Sequence, residues 1–148
     1  MSVNEIQDTI IEEFSVFEDW MDKYNLLMDY GKDLDEIDPR HKVKDYLIDG
    51  CQSKVWLYAE YDSEKIRFTA DSDALITRGI VALLVKILSN RTPDEIISAN
   101  LYFIDEVGLR QNLSPTRSNG LSSMVKQMKL YAMAYKAADD RHAAEGGR

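Results

Sequence analysis

Residues 74–89, ALITRGIVALLVKILS, read as a helix whose apolar side chains cover nearly the whole circumference. A helix that is hydrophobic all round has no face to give to water, so it is expected to be the most buried element, with the rest of the chain wrapped around it. Covering material lies on both sides. Upstream, Ile6, Ile10, Phe14, Phe17, Met21, Tyr24 and Met28 recur at three- and four-residue steps with acids between them. That spacing predicts a long amphipathic helix from Val3 to Tyr30, with breaks allowed, and Gly31 as its stop. Downstream, Leu121, Met124, Val125, Met128, Tyr131, Ala132 and Tyr135 share one face of a final helix that starts after Ser114-Pro115.

Between the first helix and the central one, the period changes to two. In SKVWLYAEY, Val55, Leu57 and Ala59 oppose Lys54, Trp56, Tyr58 and Glu60; after the turn DSE, Ile66, Phe68 and Ala70 oppose Lys65, Arg67 and Thr69. Alternation of this kind marks strands with one buried face. A third run, VKDYLI, precedes Asp49-Gly50, and three antiparallel strands are the economical reading, with a hairpin over residues 43–61. The expected fold is α+β: a small three-stranded antiparallel sheet covered by helices, in one domain over residues 1–148. Asp71-Ser72-Asp73 offers capping oxygens to the central helix, and Thr92-Pro93-Asp94-Glu95 has the form of a capping box with proline at the first helical position. Residues 99–112 read as an irregular or short helical connection, and residues 138–148 are expected to fray.

Charge and composition narrow the functional classes. The net charge is -8, and residues 1–49 alone hold fourteen acidic against five basic side chains. Such a field repels phosphate backbones, so nucleic acid is not an expected partner. No apolar run approaches the roughly 20 residues that span a bilayer, and the N-terminus has no export pattern, so no membrane partner and a cytoplasmic location are expected.

Cys51 is the only cysteine in the 148 residues. It follows Asp49-Gly50, a strong turn signal because glycine accepts the positive φ that hairpin tips need. A thiol at a tip invites chemistry, whereas an inert thiol tucked beneath the loop is the bland alternative. Dithiol exchange requires a resolving cysteine, which the chain lacks. A zinc site would have to draw on Cys51, His41 and His142 with added carboxylates, and a cysteine hydrolase on His41 as its base, although His41 sits in the polar connection DLDEIDPRHK. A thiol that accepts a group and hands it on remains. A lone thiol suits sulfane sulfur, since no neighbouring thiol in the chain can expel it as sulfide.

Gly50-Cys51-Gln52-Ser53 followed by Val55-Trp56-Leu57 resembles the SufE family of sulfur acceptors. ADSDALITRGIVALL (70–84) and LSPTRSNGL (113–121) are similar to that family's run into the central helix and to the start of its last helix. Order and spacing agree over about residues 14–135, including Trp20, Tyr24 and Gly31. The resemblance implies an α+β fold like that of IscU-type scaffolds. It implies that Cys51 takes sulfur from the persulfide of a SufS-like, pyridoxal-phosphate-dependent cysteine desulfurase, stimulating it, and passes that sulfur toward a SufBCD-like scaffold for iron–sulfur assembly. The acceptor itself would bind no pyridoxal phosphate and would act as an accessory protein through a covalent persulfide rather than as a stand-alone enzyme. Gly50 and Gln52 would support the acceptor loop and its docking, and Asp73 and Arg117 match positions near it; a helix cap is the competing role for Asp73. A regulatory module that binds the desulfurase without carrying sulfur is the alternative. Asp49 stands where many relatives have a neutral residue, and an adjacent carboxylate disfavours a thiolate.

Overall fold

The computed structural model describes residues 1–145. The apolar run forms a helix, Leu75–Leu88 (α3 in chain order), in which Ile80, Leu83, Leu84, Ile87 and Leu88 are all at most 1% exposed. Two helices precede it, α1 (Val3–Ser15) and α2 (Trp20–Lys32), in place of one long one. The break falls where Asp19 Oδ1 accepts a hydrogen bond from Met21 N–H at 2.9 Å and so starts a fresh helix. Gly31 does not stop α2; it lies inside its last turn. Its absent side chain instead lets α2 meet α3, since a Cβ on Gly31 would lie 3.0 Å from Gly79 N and one on Gly79 only 2.1 Å from the Leu27 carbonyl oxygen. Backbone contact at that range is open only to glycine.

The sheet has two strands, β1 (Val55–Asp62) and β2 (Lys65–Ser72), antiparallel in the register Val55↔Ser72 to Asp62↔Lys65. Their turn places Ser63 at φ 52° and Glu64 at φ 68°, the pair of positive values that a type I′ hairpin requires. The expected third strand does not form. Lys44–Tyr46 make a 3-10 turn, and only Leu47 bridges to Trp56, with Ile48 N–H donating to the Val55 carbonyl at 2.9 Å. The next carbonyls along that edge are already taken: Tyr131 OH donates to Leu57 O at 3.5 Å and Tyr135 OH to Ala59 O at 3.3 Å. Both tyrosines come from the last helix, so a helix closes the edge that a strand would otherwise pair.

Four helices follow α3: α4 (Pro93–Ser98), α5 (Phe103–Val107), α6 (Leu109–Asn112) and α7 (Pro115–Ala144). Thr92 and Glu95 form the expected capping box at α4. The residues read as a connection, 99–112, supply the short α5 and α6, and α5 is tied to α1 through buried Gln7. Its amide donates to Asn100 O at 3.0 Å and its carbonyl accepts from Phe103 N–H at 3.1 Å. Helix α7 runs through most of the segment expected to fray, carrying Lys136 to Asp94 and Asp139 to Tyr61; residues 146–148 lie outside the described residues. The result is an α+β fold in which helices cover a small antiparallel sheet.

Candidate functional site

The short pairing of Leu47 and Ile48 with Trp56 and Val55 closes a loop over residues 49–54, and Cys51 lies within it. The loop is therefore a vestigial hairpin whose tip leans on α7 instead of extending the sheet. Gly50 has φ +89°, and a Cβ there would sit 2.6 Å from Ser123 Oγ on α7. Both the backbone conformation and the space demand glycine. The next residue directs its side chain to the same helix: Cys51 is half-buried, and its S–H donates to the Gly120 carbonyl with sulfur 3.6 Å from oxygen. A Cβ on Gly120 would lie 3.6 Å from that sulfur, in ordinary van der Waals contact, so the thiol is seated directly against this turn of α7. Neither Gly120 nor Ser123 was singled out by sequence reasoning. A glycine inside an amphipathic helix does signal a close approach, but not what approaches.

Burial pushes the Cys51 thiol above its ordinary value of 9.0. A thiolate would lose solvation in this seat, and the neutral thiol is favoured. Burial is the cause of that shift, and the neighbouring Asp49 is exposed to solvent. In the core between the sheet, α3 and α7, where Ile48, Val55 and Met124 meet, the remaining interior space is about 10 Å³, which seats no ligand.

Asp73 does not cap α3, whose N-cap position is Ala74 without a side-chain bond. Asp73 Oδ1 instead accepts from Lys54 N–H at 3.0 Å, and its own N–H donates to Lys54 O at 3.2 Å, so it pins the downstream end of the acceptor loop. Asp71 faces elsewhere, to Lys42 at 2.9 Å and Arg78 at 3.1 Å. Arg117 is exposed in the first turn of α7, one helical turn before Gly120, and Gln52 is exposed on the loop itself. The structure thus gathers Gly50 and Cys51 at α7, leaves Gln52 exposed on the loop, holds the loop's far end with Asp73, and places Arg117 on the helix that seats the thiol. His41 is not among them: its ring stacks on Tyr58 with centroids 3.4 Å apart, and among the described residues the only hydrogen-bond partner of Cys51 sulfur is Gly120. Among the described residues no group of three or more His, Cys, Asp or Glu side chains is placed to hold a metal, and no helix is long and apolar enough to cross a membrane.

Fold and site together define an α+β protein that presents a single, half-sheltered thiol from a loop seated on its last helix. Residues 8–132 match the SufE family model, described as an Fe-S metabolism associated domain, and the chain belongs to that family. It is 38% identical over 138 residues to SufE-like protein 1, chloroplastic/mitochondrial, of Arabidopsis thaliana, covering 93% of this chain but 37% of the plant protein. It is 35% identical to the SufE-like protein slr1419 of Synechocystis, covering 86% of this chain and 80% of that one. A SufE-like protein of Rhizobium etli is 38% identical over 136 residues, covering 88% and 92%. The solution structure of a hypothetical protein from Thermus thermophilus has the same fold, with TM-score 0.72 at 17% identity over 87% of this chain and 94% of that one.

Proposed function

We propose that the protein accepts sulfane sulfur on Cys51 from the persulfide of a SufS-like cysteine desulfurase and passes it to a SufBCD-like scaffold for iron–sulfur cluster assembly. The observation that carries this reading is the seat of the Cys51 thiol against Gly120: a lone thiol, its neutral form favoured and half-covered on its own, in a loop held upstream by a short pairing with β1 and downstream by Asp73. In the transfer step the Cys51 thiolate attacks the terminal sulfur of the donor persulfide. One S–S bond forms on Cys51, the donor's S–S bond breaks, and the donor leaves as a thiolate, so sulfur moves without net oxidation or reduction. Deprotonation has to accompany removal from the seat, because the seat favours the neutral form. Coupling reactivity to displacement by the partner keeps the thiol quiet between encounters. Emptying the donor's active site in this way stimulates the desulfurase. Gly50 and Gln52 serve presentation of the loop, Asp73 holds its base, and exposed Arg117 serves docking. A reducing compartment such as the cytoplasm keeps the thiol free.

The test is to mix the protein with a cysteine desulfurase and free cysteine and to weigh it intact. A gain of one sulfur atom on Cys51, removed by reductant, is expected. Cys51→Ser should gain none and should lose its stimulation of the desulfurase. Stimulation that survives in Cys51→Ser would instead make the protein a regulatory module without sulfur carriage.

A further inference from the structure

The segment just upstream of the acceptor loop lies across the outer face of the sheet and is held there by a small, well-defined set of contacts. Lys42 Nζ stands 2.9 Å from Asp71 Oδ2 and 5.0 Å from the centroid of the Trp56 ring. Those two partners are themselves a cross-strand pair, Trp56 on β1 opposite Asp71 on β2. Arg78 Nε of α3 forms a second ion pair with Asp71 at 3.1 Å, without hydrogen-bond geometry, and the Asp71 side chain is only 11% exposed. Beside Lys42, the His41 ring stacks on Tyr58 at 3.4 Å and 9°, and Tyr46 meets Tyr58 edge-on at 5.2 Å. Residues 41–46 thus rest on side chains of both strands.

Trp56 joins this segment to the thiol. Its ring receives Lys42, and its backbone pairs with Leu47, the residue whose pairing closes the acceptor loop. A loop moving outward to release Cys51 from Gly120 must pull on Leu47 and Ile48, and through four residues on Lys42. Downstream, the loop is tied at Lys54 to Asp73. The downstream tie is a pair of hydrogen bonds between Asp73 and the Lys54 backbone, whereas the upstream tie is an ion pair and ring contact made by a side chain 44% open to solvent. An exposed ammonium bound to one carboxylate and one ring is a modest contact that salt weakens. Such a contact is suited to being undone repeatedly.

We infer that Lys42 is a positioning residue for sulfur acceptance: its seat on Asp71 and Trp56 latches the segment 41–46 to the sheet and so limits how often the loop lifts Cys51 off Gly120. The latch rests on the reading of Cys51 as a sulfur acceptor for its purpose, but it is measurable on the protein alone. When a sheltered thiol reacts only from an opened loop, its alkylation rate is the intrinsic rate multiplied by the open fraction.

The experiment measures the rate at which N-ethylmaleimide alkylates Cys51 in the full chain, at about 0.02 M and about 1 M NaCl, where the screening length shrinks to about 3 Å. Lys42→Met should raise the low-salt rate about three- to tenfold, as the loss of one ion pair and one cation–ring contact implies. Lys42→Arg, which keeps charge and ring contact, should react like wild type. High salt should speed the wild-type reaction and leave the Lys42→Met rate unchanged, a pattern that general destabilisation does not produce; melting temperatures recorded alongside confirm the fold. A wild-type rate indifferent to salt, or a Lys42→Met rate equal to wild type, overturns the latch. Failure of the sulfur-acceptor reading looks different: stimulation survives Cys51→Ser while the alkylation pattern stands.

Discussion

The Cys51 sulfur lies 3.6 Å from the position that a Cβ on Gly120 would occupy, an ordinary van der Waals distance. Alanine therefore fits at residue 120, with the Cys51 sulfur already in contact with its methyl. In an α-helix interior, alanine is favoured over glycine by about 1 kcal/mol, so Gly120→Ala should raise the melting temperature by about 2–4 °C and leave Cys51 alkylation near wild type. Gly120→Val adds two methyls beyond a Cβ that already touches the sulfur, and crowding of the thiol is expected. The thiol should then be expelled, and its alkylation rate at neutral pH should rise several-fold. An unchanged rate in Gly120→Val would mean that α7 is not the thiol's seat.

The same seat sets a pH dependence. Alkylation proceeds through the thiolate, and burial holds the Cys51 thiol above 9.0, so its rate should continue to climb with pH past the midpoint of a small thiol peptide. The sign for stability follows from the same shift. With the folded value raised above the unfolded one, the contribution of the buried neutral thiol is present below the unfolded value and is lost as pH rises through the folded one. A pH–rate profile for wild type and Gly120→Val checks the first statement, since the variant's midpoint should move down toward the ordinary thiol value, and melting temperatures across the same pH range check the second. Coincident midpoints would contradict a desolvated thiol.

Several elements were legible because their causes are local. The all-round apolarity of residues 74–89 required burial, and α3 is the core. Alternation found β1 and β2, and Thr92 with Glu95 announced the start of α4. Elements decided by distant partners were misread. VKDYLI has the length of a strand, but the edge it would occupy is taken by Tyr131 and Tyr135, over 70 residues away along the chain. For Asp73 the sequence leaves a helix cap and a place near the acceptor loop both open, because capping is a local pattern and the loop contact is not; its partner is Lys54.

The candidate site divides along the same line. Cys51 and Gly50 were recognisable from the turn chemistry of their own neighbourhood. Gly120 and Ser123 acquire meaning only once α7 is laid against the loop, and Lys42 only once Trp56 and Asp71 are brought side by side by the strand register. Gly31 shows the effect in the core: a glycine that the sequence reads as a stop is, with Gly79, the close contact between α2 and α3.

Gly50 gives the sharpest test of how the thiol is presented. Its φ of +89° is strained for any other residue, and its side-chain space is occupied by Ser123 Oγ at 2.6 Å. Gly50→Val meets both obstacles at once, and the loop tip has to leave α7. Two consequences with opposite signs follow. Alkylation of Cys51 by a small reagent should rise, because the thiol loses its cover. Sulfur acceptance from a desulfurase should fall by tenfold or more, because a thiol displaced by about 1 Å from its attack position can lose about a hundredfold in rate. Helices and strands, followed by circular dichroism, should persist, since the loop contributes little to the core. Pairing Gly50→Ala with Ser123→Ala separates the two obstacles: it removes the closest contact and keeps the strained φ, so acceptance should recover only in part. Full recovery would assign the whole effect to crowding by Ser123, and a Gly50→Val protein that accepts sulfur at the wild-type rate would show that the conformation of the tip does not govern transfer.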